Sequence, residues 1–199
     1  MTNEQYYELI KPYEDALQLL LTRLEILNHS IYGRNLEEKK PVHHMQYRIK
    51  EKKSIEKKLS RLGVTDSVMN AKDYLKDIAG IRVICFFQTE IYELIESLRR
   101  QSDLIIIKEK NYMEQPKDNG YRSYHIIFGV PLHTLDAMEY YPVEVQFRTL
   151  SMDFWSSMEH RICYKKDRDN KDELVRQFQL LSDSLAMIEN ELMDYVESK

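Results

Sequence analysis

Apolar residues recur at spacings of three and four early in the chain: Tyr6, Leu9, Ile10, Tyr13, Leu17, Leu20, Leu24 and Leu27. This pattern predicts an amphipathic helix over 4–28. A second helix is expected from about Gln46 to Leu62, closed by Gly63 as its C-cap. "DSVMNAKDYLKD" (66–77) predicts a third, with Asp66 as N-cap. The pattern then changes. "AGIRVICFF" (79–87) is a short, β-branched, nearly continuous apolar run, the sign of a buried central strand. A helix over 90–100 leads to strands over 103–113, 124–133 and 141–149, and helices return at 150–163 and 171–197. Strands in the middle with helices on both flanks predict a mixed sheet of the α/β (α+β) class.

Composition narrows this picture. The chain has 199 residues, enough for one domain with a real core, and neither repeats nor an interdomain linker interrupt it. With 43% apolar and 31% charged residues it fits a soluble globular protein rather than a disordered one. No apolar run is long enough to span a membrane, and "MTNEQYYELIKPYEDAL" lacks the basic start and apolar core of a signal peptide. Two cysteines, Cys85 and Cys163, fit neither a disulfide framework nor a metal motif. The expected compartment is the cytoplasm. A net charge of −4 argues against nucleic acid as the main partner, although 47–61 concentrates Arg48, Lys50, Lys52, Lys53, Lys57, Lys58 and Arg61. That stretch reads either as a solvated helix face or as a local anion site.

The strand over 141–149 carries the most chemistry. Side chains alternate across a strand, so Val143, Val145 and Phe147 share one face while Glu144, Gln146 and Arg148 share the other. The polar row is either a solvated edge or the floor of a cleft. Asp77, expected at a helix end just before a strand, is either a surface residue or a second carboxylate facing the same ligand. Two carboxylates from separate elements suit Mg²⁺, which shares its oxygen ligands with substrate phosphates. Lys50 and Ser54, four apart on the expected second helix, could converge on phosphates at its N-terminus, leaving Arg48 to stack on a base.

"RIKEKKS" (48–54), "DIAGIR" (77–82), "PKDNGYRSYH" (116–125) and "EVQFRT" (144–149), in this order, closely resemble the synthetase domain of the RelA/SpoT family over about 42–166. No His-Asp dipeptide occurs, so the family's hydrolase domain is not expected. The resemblance is to a small alarmone synthetase of the RelP/RelQ kind. It implies a nucleotidyltransferase-like fold and a single synthetase domain. The implied reaction moves the β,γ-pyrophosphate of ATP to the 3′-hydroxyl of GDP or GTP, with Mg²⁺ as cofactor.

It also assigns residues. Asp77 and Glu144 would hold the metal, with Glu144 activating the hydroxyl. Arg48 and Arg82 would sandwich adenine, while Lys50 and Ser54 would bind ATP phosphates. Tyr121 would stack on guanine, positioned by a turn at Asn119-Gly120 that brings backbone close to the ligand, with Asn119 at the guanine edge. Lys117 and His125 would meet the acceptor's phosphates, and Gln146 and Arg148 would complete the cleft.

Gln115 and Asn111 depart from the family's commoner residues without consequence for these roles. The charged segment 164–170 continues its Tyr-Lys ending, and Asp153 is closer to RelP than to RelQ. Leu174, Phe178, Leu181, Leu185, Ile188 and Leu192 form a heptad-like seam that serves either assembly or packing. The resemblance implies a homotetramer. Two other functions remain open at this point: an RNA-binding regulator using 47–61, and transfer to a different nucleotide acceptor.

Overall fold

A computed structural model describes residues 1–32, 40–163 and 171–197. The charged segment 164–170 lies outside them. The elements run α1 (Asn3–Tyr32), β1 (Val42–Ile49), α2 (Lys52–Arg61), α3 (Val68–Tyr74), β2 (Ala79–Cys85), α4 (Gln88–Arg99), β3 (Ile105–Asn111), β4 (Tyr124–His133), β5 (Met138–Thr149), α5 (Leu150–Cys163) and α6 (Lys171–Glu197). The mixed α+β architecture agrees with the alternation of periods in the sequence.

The five strands form one sheet in the order β1-β2-β5-β4-β3. β2 and β5 pair in parallel at its centre, and the other pairs are antiparallel. The alternation read in β5 sorts its residues as expected: Val143, Val145 and Phe147 are fully buried in the core cluster. α1 lays Leu9, Tyr13, Leu17, Leu20 and Leu24 into that cluster, where Ile91, Leu94 and Leu98 of α4 join it. One face of the sheet is therefore closed by apolar packing, and the chemistry is left to the other face and the ends of its strands.

Three expectations about the N-terminal half need correction. Residues 46–49 are strand, not helix: β1 runs antiparallel to β2, pairing Arg48 with Gly80 and Gln46 with Arg82. The helix starts only at Lys52, with Glu51 as N-cap, and ends at Arg61, with Leu62 as C-cap and Gly63 following at φ 72°. Tertiary pairing with β2 overrides the helical propensity of the lysine-rich run. Asp66 does not cap α3. It receives the amino group of Met1, and Ser67 caps instead, its hydroxyl accepting from the Asn70 N–H at 3.1 Å. α3 also stops at Tyr74, so Asp77 stands in the connection before β2 rather than at a helix end.

Candidate active site

Strand register brings the polar residues together. Gly80 of β2 and Ile127 of β4 flank Glu144, while Arg82 and His125 flank Gln146. The absent side chain at Gly80 leaves Glu144 open towards Arg48 on β1, the next strand across. Glu144 and Asp77 lie where two hollows meet, and both line each of them. The first hollow is bounded by Gln46, Arg48, Gly80, Arg82 and Gln146. The second is bounded by Lys58, Lys76, Lys108, Lys110, Lys117, Tyr74, Tyr112 and His125.

Asp77 is held by two ammonium groups: Lys50 Nζ and Lys58 Nζ each lie 2.6 Å from Oδ2. Burial works against its ionisation, but these two bonds outweigh it and keep the carboxyl below its usual range. Its other oxygen, Oδ1, is buried with no hydrogen-bond partner among the described residues. A buried orphan acceptor on an ionised carboxylate suits a cation. Glu144 is balanced the same way. Burial and the nearby Asp77 raise its pKa, but His125 and Gln146 lower it further, leaving it below the ordinary glutamate value. Gln146 Nε2 donates to Glu144 Oε2 at 3.0 Å, and His125 Nδ1 lies 3.5 Å from Oε1.

A chain of hydrogen bonds leads away from this pair. Tyr121 Oη is 2.8 Å from His125 Nε2, and Arg148 Nη2 donates to Tyr121 Oη at 3.1 Å. Arg148 Nη1 in turn donates to Asp153 Oδ1 at 2.9 Å. One set of roles fits these bonds: Arg148 donates to the phenol, the phenol to Nε2, and the Nδ1–H faces Glu144; the buried Arg148 Nε has no partner among the described residues. Asp153 also lies 3.6 Å from Arg82 Nη1. Burial, together with Arg148 and Arg48, pushes the Arg82 guanidinium below its usual pKa despite Asp153. Arg82 and Arg148 thus share Asp153, while Arg48 and Arg82 line the first hollow alongside the carboxylates Asp77 and Glu144.

Most of the residues picked from the sequence therefore converge. Asp77, Arg48, Arg82, Glu144 and Gln146 line the first hollow, and Lys117 and His125 the second. Arg148 and Tyr121 brace the junction. Lys50 reaches it from the link between β1 and α2, through Asp77, rather than from a shared helical face with Ser54. Ser54 is exposed on the first turn of α2 and lines neither hollow. Asn119 spends its Oδ1 on the Tyr121 N–H at 3.2 Å, an Asx turn. The turn closes from Lys117 to Gly120, whose N–H donates to the Lys117 carbonyl at 2.8 Å. Gly120 adopts φ 86°, and a Cβ there would come within 2.9 Å of Gln179 Cα and Ser182 Cβ. The glycine thus brings the backbone close to α6.

The sequence reading named Lys58 only within the basic run 47–61, and it missed Lys76, Lys108, Lys110 and Tyr112. A signal for three of them was present: 108, 110 and 112 alternate along a strand and so share a face. Tyr112 lies edge-on to Tyr121 with ring centroids 5.9 Å apart, and Lys117 Nζ stands over both rings, at 4.8 and 4.7 Å.

Known proteins share this fold. Residues 47–169 match the family profile described as "Region found in RelA / SpoT proteins". The GTP pyrophosphokinase YwaC of Bacillus subtilis is 39% identical over 166 residues, covering 82% of this chain and 77% of that protein. The small alarmone synthetase 1 of Bacillus subtilis, solved with its product pppGpp, superposes with a TM-score of 0.84 at 26% identity, over 98% of both chains. Small alarmone synthetase 2 of the same organism superposes at 0.83 with 33% identity, over 99% of this chain and all of that one. The profile match spans more than half of the residues, and it begins on the strand that carries Arg48 and includes both carboxylates, so the chain belongs to the RelA/SpoT family.

Proposed function

We propose that this protein is a GTP pyrophosphokinase, transferring the β,γ-pyrophosphate of ATP to the 3′-hydroxyl of GDP or GTP to make (p)ppGpp. The observation that carries this is the placement of two ionised carboxylates at the junction of two dissimilar hollows, one lined by arginines and the other rich in lysine. Transfer between two nucleotides needs two seats and one shared point of charge neutralisation between them. The arginine-lined hollow suits ATP, with Arg48 and Arg82 available to stack on its base. The lysine-rich hollow, with Tyr112, Tyr121, Lys117 and His125, suits the phosphates and base of the guanine nucleotide.

In the reaction the ribose 3′-oxygen bonds to the β-phosphorus, the bond from that phosphorus to the α,β-bridging oxygen breaks, and AMP leaves. The hydroxyl proton passes to Glu144. A carboxylate of depressed pKa is a weak base, but phosphoryl-type transfer through a loose transition state asks little of the nucleophile. Glu144 therefore acts chiefly by orienting the hydroxyl, and His125 and Gln146 fix the carboxylate for that task.

Asp77 and Glu144 are the residues that would hold Mg²⁺. The orphan Oδ1 of Asp77 fits it, and no cluster of three or more acidic, His or Cys ligands exists among the described residues. Two protein oxygens, with the rest from phosphates and water, is the usual habit of this ion. When bound it neutralises charge on the transferring group.

One synthetase domain, a cytoplasmic setting and a homotetramer complete the reading. No described helix is long and apolar enough to cross a membrane. Leu181, Ile188 and Leu192 of α6 are each about half exposed, which supports assembly through that stripe. The RNA-binding alternative loses ground because Lys50 and Lys58 are engaged by Asp77.

The test is thin-layer chromatography with γ-³²P-labelled ATP, Mg²⁺ and, separately, GMP, GDP, GTP and ADP, for wild type and Glu144→Gln. Label on a guanosine nucleotide, lost in the variant, supports the reading. Label on no acceptor, from folded protein that binds ATP, defeats it.

A further inference from the structure

The Lys117–Arg122 loop does not stand alone. Its backbone approaches α6 so closely at Gly120 that no side chain fits between them. Ser182 Oγ, on the buried line of α6, donates to the Gly120 carbonyl at 2.6 Å and accepts from Arg122 Nε at 3.3 Å. Arg122 Nη2 also donates to Asp183 Oδ1 at 2.8 Å. Just behind, Trp155 of α5 donates its indole N–H to the Phe178 carbonyl of α6 at 2.7 Å and meets the Tyr121 ring edge-on. Loop and helix are thus joined on both sides of Tyr121, whose ring lies beneath Lys117 and edge-on to Tyr112 of the second hollow. α6 lies beyond the segment 47–169 that matches the family profile.

We propose that Ser182 and Asp183 of α6 are positioning residues for the acceptor nucleotide, holding the Lys117–Arg122 loop formed before that nucleotide arrives. The proposal rests on the pyrophosphokinase reading, in which Tyr121 and Lys117 contact the guanine nucleotide. Neither α6 residue touches substrate; each acts through Gly120 or Arg122. A turn with a left-handed glycine and two flanking polar residues has many conformations when free. Fixing it in advance removes an ordering cost that binding would otherwise bear. When the competent loop is only a fraction of the population, apparent affinity falls by that fraction. Ser182 is the stronger of the two, because it satisfies a buried carbonyl, whereas the Arg122–Asp183 pair is partly solvated.

The experiment compares wild type with Ser182→Ala, Asp183→Ala, Arg122→Ala and the Arg122→Ala/Ser182→Ala double variant. KM is measured separately for GDP and for ATP. GDP affinity is also followed without turnover, through the fluorescence of Trp155, the single tryptophan of the chain. Ser182→Ala should raise both the KM and the Kd for GDP about tenfold, and Asp183→Ala about twofold, with the KM for ATP unchanged. The double variant should lose less than the product of the single losses, since Arg122 acts partly through Ser182.

A merely structural role would lower the melting temperature and move both KM values together, and that result overturns the proposal. So does an unchanged GDP affinity in folded Ser182→Ala. Failure of the underlying reading looks different: wild type itself would place no label on GDP, and the proposal falls with it.

Discussion

The two hollows that meet at Asp77 and Glu144 are built by different means. On the side of Arg48 and Arg82, every residue but Asp77 is placed by strand register: Gln46 opposite Arg82, Arg82 opposite Gln146, Gly80 opposite Glu144. The pairing of β1, β2 and β5 does most of the placing. On the side of Tyr121 and Lys117, the sheet supplies His125, Lys108 and Lys110 and the helices Lys58 and Tyr74, but Tyr121 and Lys117 sit on a loop held by Arg148, Asp153 and a helix far along the chain. The first seat is as rigid as the sheet. The second depends on side-chain bonds that single substitutions can remove, so changes in acceptor preference should arise there more readily than changes in donor preference.

Because both hollows share Glu144, the largest effect should come from the one change that ignores the distinction. Glu144→Gln is expected to lower kcat by about a thousandfold while both nucleotides still bind, as read by single-turnover transfer alongside equilibrium binding. Retained transfer would move the chemistry elsewhere. The comparison itself is broken or kept by a mirrored pair. Tyr121→Ala should raise the KM for the guanine nucleotide about thirtyfold, and Arg82→Ala should raise that for ATP about tenfold, each leaving the other substrate's KM unchanged. If Arg82→Ala weakens both equally, the Asp153 bridge between Arg82 and Arg148 couples the seats more tightly than their construction suggests.

A pH titration tests the junction. Asp77 and Glu144 have folded pKa values below the ordinary 3.8 and 4.5. Their ionised forms therefore favour the folded state: the stabilisation is complete above about pH 4.5 and is lost as pH falls through the depressed values. The urea midpoint should be flat, as far as these groups contribute, from pH 7 to 5.5, and should drop below about pH 4. A midpoint that rises on acidification would mean the carboxylates are held against their preference. The smallest effect belongs to Ser54→Ala. Exposed and outside both hollows, it should change the KM for ATP by less than about twofold. A larger loss would mean that the start of α2 closes over the donor once ATP is bound.

Much of this was legible in the sequence, and the failures have physical causes. The boundaries of β4, α5 and α6 match expectation because local period and tertiary environment agree there. Glu144, Gln146 and Arg148 were found because alternation in a central strand leaves little freedom. β1 was misread as helix because the lysine-rich run after it extends a helical pattern backwards. Yet Met45, Tyr47 and Ile49 alternate with Gln46, Arg48 and Lys50, a period of two that the charges obscured. The part played by Lys58 could not be found, since its partner Asp77 belongs to another element 19 residues away. The approach of Gly120 to α6 was not foreseen, because a sequence cannot show that a helix from the far end of the chain lies against it. The seam on α6 proved to be two faces: Phe178 and Ser182 turn inward, while Leu181, Ile188 and Leu192 remain outside.

The parallel pairing of β2 with β5 has a consequence in time. β2 ends at Cys85 and β5 reaches its paired segment only at Val143, after α4, β3 and β4 have been laid down. Contacts of such long sequence separation are among the slow steps of folding. Asp77 and Glu144 come together only when that step is complete, so a chain still emerging from the ribosome, or one with its helices formed but its sheet unfinished, has no junction at which to make the product. On refolding from urea, helical circular dichroism should return before activity does; recovery of both in one phase would mean the central pair forms as early as the helices. The order of assembly thereby keeps a signalling enzyme silent until its fold is finished.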